Sequence, residues 1–553
     1  MQKKNTAEVL VECLEANGVF HIFGVPGEEN LVFLEAVRKS KISFITTRIE
    51  QGAVFMASTF GRMTGKVGVA LSTLGPGATN LLTGVAYAQL GGFPLLVITG
   101  QKAIKNNKQG KFQIVDIVAM MKPITKFSKT ITSGKNVSSL VAEAISLAEM
   151  ERAGAVHLEL PEDVASESCN ADIKIVKKIN YPISDEKIIN QAILEIEKSK
   201  HPIIVLGRGA NNKSISKELK LLIEKSGIPF ISTQMGKGSF DENSKLYIGT
   251  TALSSGDYVH QALNHADTII LIGHDVVEKP PFILDKNSGK KIIHINYFSS
   301  VVPEVYVPTH EVIGDISKTL SAFTKKISAQ GGSASGGNPA WDFNYFFKVR
   351  DVLKKDIAKF SQSSDFPLRP ERIVSDINKI MPEDSILALD NGMYKLWVAR
   401  NFITKNTNSI LLDNALATMG AGLPSGIALK ILHPDEKVLV VAGDGGMMMS
   451  IGELETAVRL KLDLVVLVMD DAGFGMIRWK QKNMNLSSFG LSFNNPDFIR
   501  LAESFGAVGH KVEKTEDLAL LLKKAFNSKG VHIIACPINY DEANKVLGTV
   551  KNI

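Results

Sequence analysis

Cysteine is scarce: Cys13, Cys169 and Cys536 are the three in 553 residues and stand far apart, which argues against a disulfide framework and against a zinc cluster of closely spaced thiols. Basic runs are missing too. The 63 Lys and Arg barely exceed the 57 Asp and Glu and are spread along the chain, so nothing is arranged to follow a nucleic-acid backbone. No stretch approaches the roughly 20 apolar residues that a bilayer span needs. The opening MQKKNTAEVLVECLEANGVF has no uninterrupted apolar core of the signal-peptide kind and reads as an amphipathic helix capped near Thr6. The expectation is a cytoplasmic protein with neither nucleic acid nor membrane as partner. Fixed-period repeats are also absent.

The composition that remains, 44% hydrophobic and 22% charged, is that of an ordinary globular protein, and its length calls for roughly three or four domains. Short apolar runs (HIFGVPG, SFITT, VGVALSTLGPG, PLLVITG) alternate with helix-like segments, a pattern of parallel sheets covered by helices. ASESCNADIKIVKKINYPISDE, about 165 to 186, reads as a linker. A second block runs through HPIIVLGRGANN, PFISTQ, DTIILIGHD and KIIHINY, and a Gly- and Ser-rich stretch follows it. A third block opens near Pro367. The expected architecture is α/β, three consecutive doubly wound domains with mainly parallel sheets: 1–165, 187–325 and 366–553, with a linker at 326–345.

KVLVVAGDGGMMMSIGELETAVRLKLDLVVLVMDDAGFGM, in the third block, carries the most chemistry. Val438 to Ala442 reads as a buried strand, Gly443 to Gly446 as a tight turn, and Ile451, Leu454 and Val458 as one helical face. Leu464 to Met469 is the next strand, so Asp444 and Asp471 fall just past the carboxyl ends of neighbouring strands, where open parallel sheets bind ligands. Turn glycines and free helix N-terminal amides suit a phosphate. Two carboxylates beside it would repel it unless a hard cation such as Mg²⁺ lay between. The pattern predicts a metal-diphosphate site; the plainer alternative is a turn followed by a polar loop.

TTRIEQGAVFMASTFGR raises a different question, the purpose of Glu50. Thr47-x-x-Glu50 matches a capping box, in which hydroxyl and carboxylate each satisfy an orphan amide at a helix start. The other reading makes Glu50 a catalytic acid held among apolar neighbours such as Val54 and Phe55. Spacing alone leaves both open.

GDG followed, after a helix and a strand, by a second acid resembles the signature of thiamine diphosphate enzymes. Over almost the whole length the chain is similar to catalytic subunits of the acetolactate synthase family, through FGVPGEENL, RIEQGAVFMASTFGRMTGKVGVALSTLGPGATNLLTGVAYA, FQIVDIVAMMKPITK, GAVHLELPEDV, ATMGAGLPSGIALK and GDGG with ELETAVRLK. The resemblance implies that Asp444, Asp471 and the main-chain oxygen of Gly473 bind Mg²⁺, and that Met393, Tyr394, Gly445 and Gly446 line the diphosphate side. It places Pro26, Thr73, Pro76 and Asn80 around the pyrimidine, with Glu50 hydrogen-bonded to N1′ of the cofactor. The imino tautomer so favoured removes the proton from thiazolium C2. Met419 would lie beneath the bent cofactor and the backbone of Ala417 beside its 4′-amino group, although a methionine there is equally plain core filling. Gln113 would sit near the incoming substrate, or be an ordinary loop amide.

The implied reaction condenses two pyruvates to 2-acetolactate and CO₂ through a cofactor-bound hydroxyethyl carbanion or enamine. The implied assembly is a homodimer or homotetramer with active sites at the dimer interface. Some features depart from the family pattern. Asp470-Asp471-Ala472 stands where two asparagines are usual, and Ile49 where a histidine usually precedes the glutamate. IGHDVVEKPP lacks the arginines of the flavin-binding members and GRGA lacks the third glycine of a dinucleotide fingerprint, so FAD is not expected and the flavin-free catabolic type fits best. In GMIRWKQK, Lys480 takes the position of the family tryptophan and Trp479 precedes it, leaving acceptor preference open. The alternatives are another thiamine diphosphate-dependent 2-keto acid decarboxylase or carboligase, and a non-catalytic relative serving as a subunit.

Overall fold

Runs of β-branched and aliphatic residues build three six-stranded sheets, and every strand pairing in them is parallel. The computed structural model describes residues 4–105, 110–177, 179–251, 257–278, 288–299, 306–327 and 341–541. The first sheet uses His21–Gly24, Ser43–Thr46, Gly68–Ser72, Leu95–Gln101, Phe127–Thr130 and Ala155–Pro161, in the spatial order 2-1-3-4-6-5. The third repeats that order with Ile386–Leu389, Ile410–Leu411, Val438–Gly443, Leu464–Asp470, Val508–Lys511 and Val531–Pro537. The middle sheet, from Pro202–Leu206 to His310–Ile313, runs 3-2-1-4-5-6, the doubly wound order of nucleotide-binding folds. The expectation of three doubly wound α/β blocks is borne out.

Alternation along the middle strands gives the sheet two buried faces. Ile204, Leu206, Ile270, Ile272, Ile293 and Ile295 enter one core, while Ile203, Val205, Ile269, Leu271 and Ile292 enter the other. A helix not anticipated from the sequence, Asn344–Ala358, completes the second core with Phe346, Val349 and Leu353. Most of the expected 326–345 linker (328–340) lies outside the described residues.

In the strand Ser43–Thr46 only Ile45 is buried, because the strand lies at the sheet edge. The first helix, Thr6–Ala16, is capped by Asn5, which forms a capping box with Glu8. The early part of the expected 165–186 linker is tied down. Ser168–Cys169 pairs antiparallel with Lys4–Asn5, and the Asn17 side chain bonds the backbone of Lys174 and Val176. All three cysteines are buried free thiols. Among the described residues no helix is long and apolar enough to cross a membrane.

The chain groups into two compact units. One comprises 1–179, 416–435 and 448–462; the other comprises 180–415, 436–447 and 463–553.

Candidate active site

In the first unit, Glu50 is the first residue of the helix Glu50–Thr64, which ends at Gly65 in the left-handed conformation. The capping box that Thr47-x-x-Glu50 predicts does not form. The N-cap is Ile49, extended and without a side-chain cap, and the Thr47 hydroxyl donates to the Ile49 carbonyl. Glu50 is only 8% exposed, and its Oε2 accepts from Asn80 Nδ2 at 3.0 Å. Its Oε1 lies over Gly77, where a Cβ would come within 3.1 Å. Val54 and Phe55 are buried as expected, but the carboxyl itself meets an amide and a glycine.

The same strand edge gathers the other residues expected around the pyrimidine. Pro76 opens the helix Pro76–Asn80, so the Glu50 partner Asn80 is set by that helix. Gly75 before it has φ +50°, and a Cβ there would lie 2.8 Å from the main-chain oxygen of Gln113. Gln113, itself at φ +57° and exposed, is thereby laid across the turn beside Pro76. Thr73 Oγ1 donates to Glu29 at 2.5 Å, and the other Glu29 oxygen takes the buried Lys102 ammonium at 2.5 Å. Gly27, next to Pro26, packs so tightly on Thr73 that a Cβ would come within 2.2 Å. Ala417, exposed at φ +55°, and half-buried Met419 precede the helix Gly422–Leu432.

In the second unit, the strand Val438–Gly443 passes straight into the helix Asp444–Met449, with no intervening turn. The helix predicted through Ile451, Leu454 and Val458 is broken: a second helix, which belongs to the first unit, starts at Glu453, and Ile451 lies in the turn between. Asp444 is 2% exposed. One of its oxygens accepts the Gly445 amide at 2.7 Å and the other accepts Asn495 Nδ2 at 2.8 Å. The same Asn495 nitrogen donates to Asp470 at 2.8 Å. The Tyr394 hydroxyl accepts the Gly443 amide at 2.8 Å, so Met393 and Tyr394 sit where the strand meets the helix. Met393 Cβ and an Asp471 oxygen both approach Gly475, within 3.4 and 2.9 Å of a Cβ placed there. Gly445 and buried Gly446 form the first turn behind Asp444.

Both acids are held above the usual carboxylate range. Burial raises the Asp444 carboxyl and Asp470 adds to it, against hydrogen bonds from Asn495 and Gly445. Burial, reinforced by Asp444, pushes Asp471 up to about 7 despite Arg478 at 3.2 Å. Like-charged carboxylates crowded this way call for a cation. The oxygen donors are hard: two carboxylates, the main-chain oxygen of Gly473 and Asn495 Oδ1, which is buried with no hydrogen-bond partner. They fit a divalent metal beside a diphosphate. This is not a cluster of three acids or histidines, and no such cluster occurs among the described residues. A cavity of about 440 Å³ opens beside Asp471, lined also by Arg478, Trp479, Lys482 and Tyr540. Trp479 faces it, whereas Lys480 is exposed and not among its lining residues.

Sequence reasoning missed Asn495, Arg478 and Glu453. Glu453 accepts the amides of Arg48 and Ile49 immediately before Glu50. No motif spacing marks Asn495, which lies 51 residues beyond Asp444.

Three family models match in order. They are the thiamine pyrophosphate enzyme N-terminal TPP-binding domain at residues 4–120, the central domain at 189–323 and the C-terminal TPP-binding domain at 390–536. An acetolactate synthase of Bacillus subtilis is 30% identical over 98% of this chain and 94% of its own length. A catabolic acetolactate synthase of Raoultella terrigena is 31% identical over 98% and 96%. A probable acetolactate synthase large subunit of Methanococcus aeolicus is 30% identical over 98% and 93%. Similarity of this extent, running through all three blocks in register, is a whole-chain relationship, and the chain belongs to the thiamine diphosphate-dependent acetolactate synthase family.

Proposed function

We propose that the chain condenses two pyruvate molecules to 2-acetolactate with release of CO₂, using thiamine diphosphate and Mg²⁺. The observation that carries the reading is the direction of Glu50: its carboxyl leaves its own helix start and is held by Asn80. Bound thiamine diphosphate supplies a thiazolium carbon nucleophile for 2-keto acids. Glu50 holds and returns a proton at N1′ of the aminopyrimidine, and Asn80 fixes the oxygen that does so. Thr73, Pro26 and Pro76 shape the surrounding edge, with Gln113 across the turn on the side of the incoming keto acid. Ala417 and Met419 are assigned to the pyrimidine on resemblance alone. Asp444, Asp471 and the Gly473 carbonyl would hold Mg²⁺, whose charge would add to that of Arg478 in neutralising Asp471. Met393, Tyr394, Gly445 and Gly446 flank the diphosphate.

FAD has no place in this reading. The amide of Arg208, in the turn after the first strand of the middle sheet, already donates to the buried Glu278 carboxyl at 2.7 Å, and Gly207 packs against the His274 backbone. We assign the chain to the catabolic type, acting in the cytoplasm as a homodimer or homotetramer whose active sites form between chains.

The test incubates the protein with pyruvate, Mg²⁺ and thiamine diphosphate and measures acetoin after acid decarboxylation of the product. Acetoin is expected. Its absence from a preparation active on another 2-keto acid would overturn the assignment in favour of a different carboligase or decarboxylase. The purified protein is expected to be colourless, without the flavin band near roughly 450 nm.

A further inference from the structure

We propose that Glu453 is a positioning residue for Glu50, supplying from a separate helix the cap that the Glu50 helix cannot supply for itself. The inference rests on the reading of Glu50 as the proton-exchanging carboxyl. In a capping box, the residue at the third helical position reaches back to the N-cap amide. Here that position is Gly52, which has no side chain. The space above it is filled by the Glu453 carboxyl, whose Oε1 lies 2.5 Å from where a Gly52 Cβ would be. Glu453 Oε1 accepts the N-cap amide of Ile49 at 3.2 Å and the preceding amide of Arg48 at 3.0 Å. Its Oε2 accepts the Thr456 hydroxyl at 2.7 Å. The residue is fully buried.

The same short helix holds the other end of the approach to Glu50. Arg459 Nη2 donates to the Thr46 carbonyl at 2.5 Å, at the end of the strand Ser43–Thr46. Four residues, Thr46 to Ile49, thus carry the chain from sheet edge to helix start with three backbone groups fixed by Glu453 and Arg459. A first-turn glutamate freed from capping turns its carboxyl wherever its backbone aims it. Glu453 sets that aim, and Asn80 receives the result. The glycine at 52 and the glutamate at 453 are complementary halves of one device.

Glu453→Gln keeps an oxygen for both amides and an N–H for Thr456, whereas Glu453→Ala leaves both amides without an acceptor. Gly52→Ala leaves Glu453 intact but pushes its carboxyl away. The experiment measures steady-state turnover of pyruvate and amide hydrogen exchange of the peptide spanning residues 46–52, in all three variants and in Glu50→Gln, each checked for fold by circular dichroism. For Glu453→Ala and Gly52→Ala, kcat is expected to fall at least about ten-fold with KM changed less than about two-fold. Exchange at Arg48 and Ile49 should quicken at least about ten-fold. Glu453→Gln should stay within about three-fold of wild type in both measurements.

The proposal is overturned if Glu453→Ala turns over like wild type, if exchange at 48 and 49 is unchanged, or if Glu453→Gln fails as badly as Glu453→Ala. A Glu50→Gln enzyme of normal turnover would instead remove the reading of Glu50, and with it the catalytic half of the proposal. Inactive Glu50→Gln beside active Glu453→Ala would remove the anchor alone.

Discussion

At the scale of single residues, the proposed site holds groups that are kept from their usual partners. Glu50 is turned from the commonest duty of a first-turn glutamate, and Asn495 uses its nitrogen for two acids while its oxygen goes without a partner. Glu50→Gln keeps the size of the side chain and its contact with Asn80 but cannot pass a proton. Its turnover is expected to fall about 10² to 10⁴-fold, the usual worth of a general acid or base, with thiamine diphosphate affinity measured by calorimetry little changed. Unchanged turnover would remove Glu50 from the chemistry. Asn495→Ala takes away the one donor that Asp444 and Asp470 share. It is expected to weaken Mg²⁺ affinity about 10 to 100-fold, as loss of groups that orient metal ligands does, measured by metal titration of activity and of thermal stability. Asp444 and Asp471 could be proposed from their places just past neighbouring strand ends, and Glu50 only from the resemblance, because its spacing fits a helix cap as well. Asn495 could not, since its position depends on how the chain returns over the sheet and local pattern does not encode that.

At the scale of elements, the strands were legible, and the junctions and caps that follow them were not. The alternation of apolar runs located the strands that end at Gly443 and Asp470, and with them the carboxyl edge that carries the acids. The Thr47-x-x-Glu50 pattern misled because the helix begins two residues later than a Thr47 cap requires, and the acceptor for its leading amides comes from residue 453. The turn after Pro202–Leu206 follows the same logic, since its Arg208 amide is capped by distant Glu278. Burial pushes that carboxyl up to about 7, overcoming hydrogen bonds from Thr233 and Arg208. An acid whose folded value lies above its unfolded value of 4.5 keeps its proton in the native state after the unfolded chain has lost it. Its contribution to stability is therefore intact below pH 4.5, falls as pH rises to about 7, and stays low above. The fall is about 3 kcal/mol. Glu278→Gln, neutral throughout, is expected to gain on wild type across this window, so its melting temperature minus that of wild type should rise from pH 4.5 to 7 and then level off. A constant difference would mean that Glu278 is ionised in the native protein throughout.

At the scale of the whole molecule, the first and third sheets share one strand order, 2-1-3-4-6-5, and each carries at its carboxyl edge residues proposed to form half of a cofactor site. Glu50 with Asn80 lies on one and Asp444 with Asp471 on the other. The doubly wound architecture was legible because parallel strands buried on both faces read as continuous aliphatic runs. The pairing of the two half sites is not a property of one chain's sequence pattern, and complementation decides it. If each cofactor is flanked by Glu50 of one chain and Asp444 of its partner, Glu50→Gln and Asp444→Asn are each inactive as homodimers. In a mixed dimer, one site collects both substitutions and the other collects neither. Random reassortment of equal amounts makes half the dimers mixed, with one of two sites intact, so activity should recover to about a quarter of wild type. If both halves of a site came from a single chain, every site in the mixture would carry one defect, and mixing would restore nothing. Co-refolding or co-expressing the two variants and assaying acetoin from pyruvate separates the cases, with wild type diluted into each variant alone as the control for simple additivity.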